Sequence, residues 1–181
     1  MALPVRCANE GYRGKFAFSL VEVTIALGVI AFVLISVFGL LSVGLASNRV
    51  SLQETRATGI LTLLESDLRN SHPESATSTI YGFPLPYVTS GSEVIVNPLL
   101  AEGSVFSVGL DDAEQVVSLT ATPRPPFQAS VVYTQIPLAG SRVPVRSQLI
   151  VSWPSTNTTD PLNLTRNVSG FVEAPSAFSP P

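Results

Sequence analysis

The spacing of apolar positions along this 181-residue chain changes twice. From Phe18 to Leu45 they form an almost unbroken run in which Glu22 is the one charged residue. From residue 46 to 69 they thin to a helical stripe, Val50, Ala57, Ile60, Leu61, Leu64 and Leu68, at three- and four-residue steps. Arg56, Thr62, Glu65 and Arg69 take the opposite face, and Glu65 and Arg69 form a favourable pair four residues apart. Asn70-Ser71-His72-Pro73 should end the helix, because proline disfavours helical geometry in the residue before it. From Glu93 onward the period falls to two.

The two halves of this helix call for different surroundings. A bilayer core about 30 Å thick is crossed by roughly 20 apolar residues, fewer than this run contains. A secretory signal has a core of only about 7 to 15 residues, so the run reads as a spanning segment. Gly44-Leu45-Ala46 is a poor match to a signal-peptidase site. The basic residues Arg6, Arg13 and Lys15 before the run place the leader on the cytoplasmic side and the C-terminal part on the exported side.

Residues 73 to 92, rich in Ser, Thr, Pro and Gly, read as a connecting loop, with Tyr81, Phe83 and Tyr87 as a satellite of the core. Strands are expected over Glu93 to Asn97, Ser104 to Leu110, Gln115 to Thr122, Ala129 to Ile136 and Val143 to Trp153. In the last of these Val143, Val145, Leu149, Val151 and Trp153 face one way and Arg146, Gln148 and Ser152 the other. Such alternation marks an antiparallel sheet with one covered face, and the amphipathic half-helix is the available cover. The fold class is therefore α+β: a long N-terminal helix, transmembrane in its first half and amphipathic in its second, packed on a small antiparallel β-sheet. Pro137 to Pro144 should form a loop, residues 154 to 165 polar turns, Asn167 to Glu173 a short edge strand and residues 174 to 181 a disordered tail.

Glu22 is the anomaly of the apolar run. A carboxylate inside a membrane helix costs about 2.5 to 3.5 kcal/mol even on permissive insertion scales. Either it lies close enough to the helix start to reach the headgroups, or another chain supplies a cation.

The stretch Phe18-Ser19-Leu20-Val21-Glu22-Val23-Thr24-Ile25-Ala26-Leu27-Gly28, with its short basic leader and the small Ala17 before Phe18, closely resembles the N-terminal processing motif of type IV pilins and type II secretion pseudopilins. The wording from Phe18 to Gly28 also resembles pilin-like proteins of the Verru_Chthon cassettes. The resemblance covers roughly residues 13 to 48. It implies a pilin-like fold, cleavage between Ala17 and Phe18 by a prepilin peptidase, N-methylation of Phe18, and an assembly role for Glu22 at the fifth mature position. Cutting after Gly14 instead would place Ser19 where the glutamate belongs. The chain departs from the family in having Ala17 where glycine is usual and in lacking the proline that kinks this helix in many type IV pilins.

On this reading residues 1 to 17 are a cleaved leader, 18 to 45 the transmembrane and assembly helix, 46 to 72 its amphipathic continuation, 73 to 173 the exported β domain and 174 to 181 the tail. The implied partners are the prepilin peptidase, other pilin or pseudopilin subunits, an inner-membrane assembly platform and membrane lipid. The implied location is the bacterial inner membrane, single-pass, with the C-terminal domain periplasmic or in an envelope filament. The alternative is a single-pass membrane-anchored protein whose exported domain binds a ligand or partner.

Charge and chemistry narrow the field further. The formal charge is −3 overall, and without the leader 7 basic side chains face 12 acidic ones, or −5. No basic stripe is present to neutralise phosphates, which argues against nucleic acid. Cys7, the only cysteine, lies in the leader, so the mature chain would hold no disulfide. No enzymatic role is expected: the lone histidine, His72, sits beside a proline as a surface cap of the helix end, with no nucleophile and base arranged around it. No cofactor is called for. Asp111, Asp112 and Glu114 form the one acidic cluster, and between two strands they read as a solvated turn in preference to a calcium loop. The sequons at Asn157, Asn163 and Asn167 read as chance in a Ser/Thr-rich stretch.

Overall fold

A computed structural model describes residues 19–138, 143–156, 158–160 and 163–179. The leader, Cys7, the Ala17–Phe18 bond and the Asn157 sequon lie outside the described residues. The chain divides into two compact units, one ending at Ser47 and the other beginning at Asn48.

The described part of the first unit is helix, from Leu20 onward. Helix α1 spans Leu20–Asn70, close to the boundaries that the sequence pattern predicts. Between Leu20 and Ser47 all of its side chains are exposed, including Leu20, Phe32, Ile35, Phe38 and Leu40. This part of α1 is long and apolar enough to cross a bilayer.

In the second unit α1 supplies Ala57, Ile60, Leu64 and Leu68 to the core, with Leu61 partly covered. Val50, expected on the same face, is exposed, because burial begins only at Ala57, about two turns further along. The partner of this face is a five-stranded antiparallel sheet. Its strands are β3 (Val105–Leu110), β4 (Val116–Val117), β5 (Phe127–Gln135), β6 (Val145–Trp153) and β7 (Gly170–Phe178), in the spatial order β4-β3-β5-β6-β7. Leu110, Phe127, Ala129, Val131, Tyr133, Val145, Leu149, Val151 and Trp153 point inward and join the helix residues in one cluster. A long helix and a small antiparallel sheet thus form the expected α+β, pilin-like layout.

Four departures from the sequence pattern have local causes. The segment read as a loop contains a 3₁₀ turn, Pro73–Ser75, and strand β1 (Tyr87–Ser90), which pairs with β2 (Glu93–Val96) in a separate hairpin. Gly91, at φ +66°, supplies the left-handed residue that a two-residue hairpin loop needs. Tyr81, Phe83 and Tyr87 belong to the main core and not to a satellite. Strand β4 is two residues long, far short of Gln115 to Thr122. There the Ser118 and Thr120 hydroxyls bond each other at 2.8 Å and Ala121 N–H closes a turn on Ser118 O, drawing the backbone away from the ladder.

The third departure is at the C-terminal end. The expected edge strand is present as β7, which starts at Gly170 and runs on through the segment read as a disordered tail, nine residues paired with β6 from Trp153↔Gly170 to Val145↔Phe178. Pro175 is tolerated because β7 is an edge strand. The fourth is on the outer face of the sheet. Ser152, expected in solvent, is buried, and Leu164 from the polar segment after β6 packs on Val132 and Ile150. Gln128, fully buried, holds that segment: its Nε2 donates to Thr158 O at 2.8 Å and its Oε1 accepts from Thr156 N–H at 3.0 Å.

Candidate assembly segment

The first turn of α1 carries the residue that sequence reasoning singles out. Glu22 N–H and Val23 N–H both donate to Ser19 O, at 3.0 and 3.2 Å, so the helix is already formed around Glu22. Its side chain is exposed, and no hydrogen bond or ion pair from a described residue reaches its carboxylate. An acidic group in a first turn is favoured by the partial positive charge of the helix start. That contribution, typically about 0.3 to 1 kcal/mol, is smaller than the cost of a carboxylate in hydrocarbon.

The other polar side chains of the apolar stretch are satisfied within the helix. Thr24 Oγ1 donates to Val21 O at 2.8 Å, Ser36 Oγ to Phe32 O at 3.0 Å and Ser42 Oγ to Gly39 O at 2.8 Å. Glu22 is set apart from them because it carries a charge and no described residue gives it a hydrogen bond or an ion pair.

The remaining sequence candidates resolve into turn chemistry. Asp111 Oδ1 accepts from Ala113 N–H at 2.9 Å and Gln115 N–H at 2.8 Å, while Glu114 sits at φ +61°. Asp111 thus caps the β3–β4 turn, and among the described residues no group of three or more potential ligands is placed to hold a metal. His72 is exposed, and its Nδ1 accepts from Glu74 N–H at 3.3 Å, which makes it the cap of the 3₁₀ turn and not of α1 itself.

One structural anchor escaped the sequence reading. Asp67 is buried on the core face of α1, where its Oδ1 accepts from Thr79 N–H and Ile80 N–H at 3.1 and 3.0 Å. Its Oδ2 accepts from Tyr81 N–H at 3.0 Å. The signal was a carboxylate in register with Ile60, Leu64 and Leu68, at a position where a fully solvated acid has no place. Burial pushes the Tyr81 hydroxyl above its ordinary pKa, helped by the negative charges of Glu114 and Asp67. Tyr133, fully buried, is pushed up by burial too, and its hydroxyl donates to Pro84 O at 2.6 Å.

Comparison with family profiles, curated proteins and solved structures returned no match to this chain. The functional reading therefore stands on the residues around Glu22 and on the layout of helix and sheet.

Proposed function

We propose that this chain is a pilin-like or minor pseudopilin subunit. It is cut after Ala17 by a prepilin peptidase, methylated on the amine of Phe18, and assembled through its N-terminal helix into a type IV pilus or type II secretion pseudopilus. The observation that carries the reading is Glu22, an exposed carboxylate without a described partner, in the first turn of an apolar helix that continues without a break into the core-forming stretch Ala57 to Leu68.

Removal of the leader leaves a cation on Phe18. Offered by a neighbouring copy, that amine pairs with Glu22 in a low-dielectric setting, where attraction is strong and a lone charge is costly. The pair fixes the axial register of packed helices, a use of buried charge that is well attested in helical assemblies. The subunit sits in the bacterial inner membrane before assembly, with its β domain on the exported side, and its role is structural.

Two measurements test this. Intact-mass and N-terminal analysis of membrane-extracted protein should give Phe18 as the first residue, N-methylated; a working chain that still begins at Met1 points to a plain membrane anchor. Glu22→Leu should enter the membrane as well as the parent chain and be lost from the sheared filament or pseudopilus fraction. Normal incorporation of that variant would remove the proposed pairing.

A further inference from the structure

Just past its apolar run, α1 becomes basic on one side. Leu45 closes the run, and Arg49 follows it by one turn, about 6 Å of rise along the helix. Arg56 lies seven residues after Arg49, so at about 100° per residue the two stand within about 20° of the same helix face. Glu54, the acid between them, is turned away from both by about 140° to 160°. All three side chains are exposed. Neither arginine has an ion pair among the described residues, whereas Arg69, the third arginine of α1, is paired with Glu65 at 2.9 Å.

An unpaired guanidinium is ordinary in water, and what sets these two apart is where the helix carries them. A bilayer about 40 to 45 Å thick with a hydrocarbon core of about 30 Å leaves a headgroup layer of roughly 5 to 8 Å on each side. With Leu45 at the edge of the hydrocarbon, Arg49 is level with the phosphates. Side chains on a helix lean toward its N-terminus, here toward the lipid, and arginine reaches far along that direction. Arg56, about 10 Å beyond Arg49, is thereby brought within about one Debye length of a charged surface.

We propose that Arg49 and Arg56 bind the phosphate groups of anionic phospholipids in the exported leaflet and so fix how far α1 rises out of the bilayer. This rests on the membrane placement proposed above, and on neither leader cleavage nor assembly. The planar guanidinium matches two phosphate oxygens at once, and with Glu54 on the far side nothing on this face competes for it. Near an anionic surface each arginine contributes only about fivefold in affinity, too little to draw a chain out of solution. On a helix already inserted, the same contribution decides its depth and its neighbouring lipids.

The full-length protein in mixed micelles, offered phosphatidylglycerol and phosphatidylcholine with the same acyl chains, tests this, with bound lipids counted by native mass spectrometry. The parent chain should prefer phosphatidylglycerol. Arg49→Gln and Arg56→Gln should each lower that preference about fivefold, and both together roughly 25-fold. Added salt should weaken the preference of the parent and leave the double variant unchanged. Arg146→Gln, which removes an exposed arginine of β6, should behave as the parent. A parent without the preference, a double variant that keeps it, or an equal loss in Arg146→Gln would overturn the inference and leave α1 in the membrane. Carbonate washing of native membranes separates the other failure: parent and double variant should both be retained, and release of the parent would overturn the membrane placement and the inference with it.

Discussion

A carboxylate in a protein interior must be given donors or a cation, and this chain meets that requirement in two ways. Asp67 is served within its own fold, by three backbone N–H groups of the segment after the 3₁₀ turn. Glu22 has no such donors among the described residues, which is why its partner is sought in another chain. Removing the Asp67 carboxylate takes the acceptor from the Ile80 and Tyr81 N–H groups, while Thr79 N–H keeps Ser71 Oγ at 3.0 Å, so Asp67→Ala should lower stability by about 2 to 3 kcal/mol, the range for hydrogen bonds to a charged group together with the loss of buried polar partners. Asp67→Asn keeps an oxygen for Thr79 and Ile80 but cannot accept from Tyr81 at the other position, and should cost about half as much. Urea unfolding in micelles, followed through Trp153, the single tryptophan, ranks the three proteins. Equal stability of the alanine and asparagine variants would mean that the accepting oxygens are not what holds this segment.

At the scale of the elements, close contact between β6 and β7 is set by a residue without a side chain. Gly170 lies opposite Trp153, and a Cβ built on it would run into the indole ring, which also meets Phe127 edge-on at a centroid distance of 6.4 Å. Gly170→Ala should therefore push the indole from its place, costing about 1 to 3 kcal/mol as overpacking does, and should shift Trp153 emission. Unchanged emission and stability would show that β7 gives way at no cost. These elements were unequally legible in the sequence. The strands β3, β5 and β6 and the helix α1 announced themselves because one face of each is covered, so period two or the three-to-four spacing is written in their apolar residues. Of the hairpin, β2 was legible as the strand expected over Glu93 to Asn97, whereas β1 was not, since its Thr89 and Ser90 are exposed and carry no apolar alternation. Strand β7 was read only in its first part, within the edge strand expected over Asn167 to Glu173, and the rest was hidden for the same reason. Its Pro175 and Ser176 look like tail composition, and what makes this part a strand is the ladder with β6 and the contact of Ser176 with Arg69, more than 100 residues earlier in sequence. Ser152 shows the limit from the other side: a polar residue on an alternating strand predicts solvent unless a later loop, here the one bearing Leu164, folds over it.

Across the whole molecule, the chain falls into two compact units that meet in sequence at Ser47 and Asn48. Among the described residues every buried one lies in the second unit, beginning at Ala57, and each described side chain of the first unit is exposed. The described side chains of the first unit, Leu20 to Ser47, thus present an exposed and largely apolar surface. The stability of the β domain should then be a property of residues 48 to 181 alone. A chain beginning at Asn48 keeps all of the helix that reaches the core, starting more than two turns before Ala57, so end fraying falls outside the contact region. It should be soluble without detergent, show the same Trp153 emission as the full-length protein, and unfold at a urea midpoint within about 10 to 15% of it, the usual uncertainty of such fits. The same fragment should fail to partition into membranes and should not enter a filament, because both Glu22 and the apolar run are gone. If it proved unfolded, residues before Asn48 would be needed for the domain to fold. The proposal that the exposed half of α1 is free for assembly while residues 48 to 181 fold on their own would then be lost.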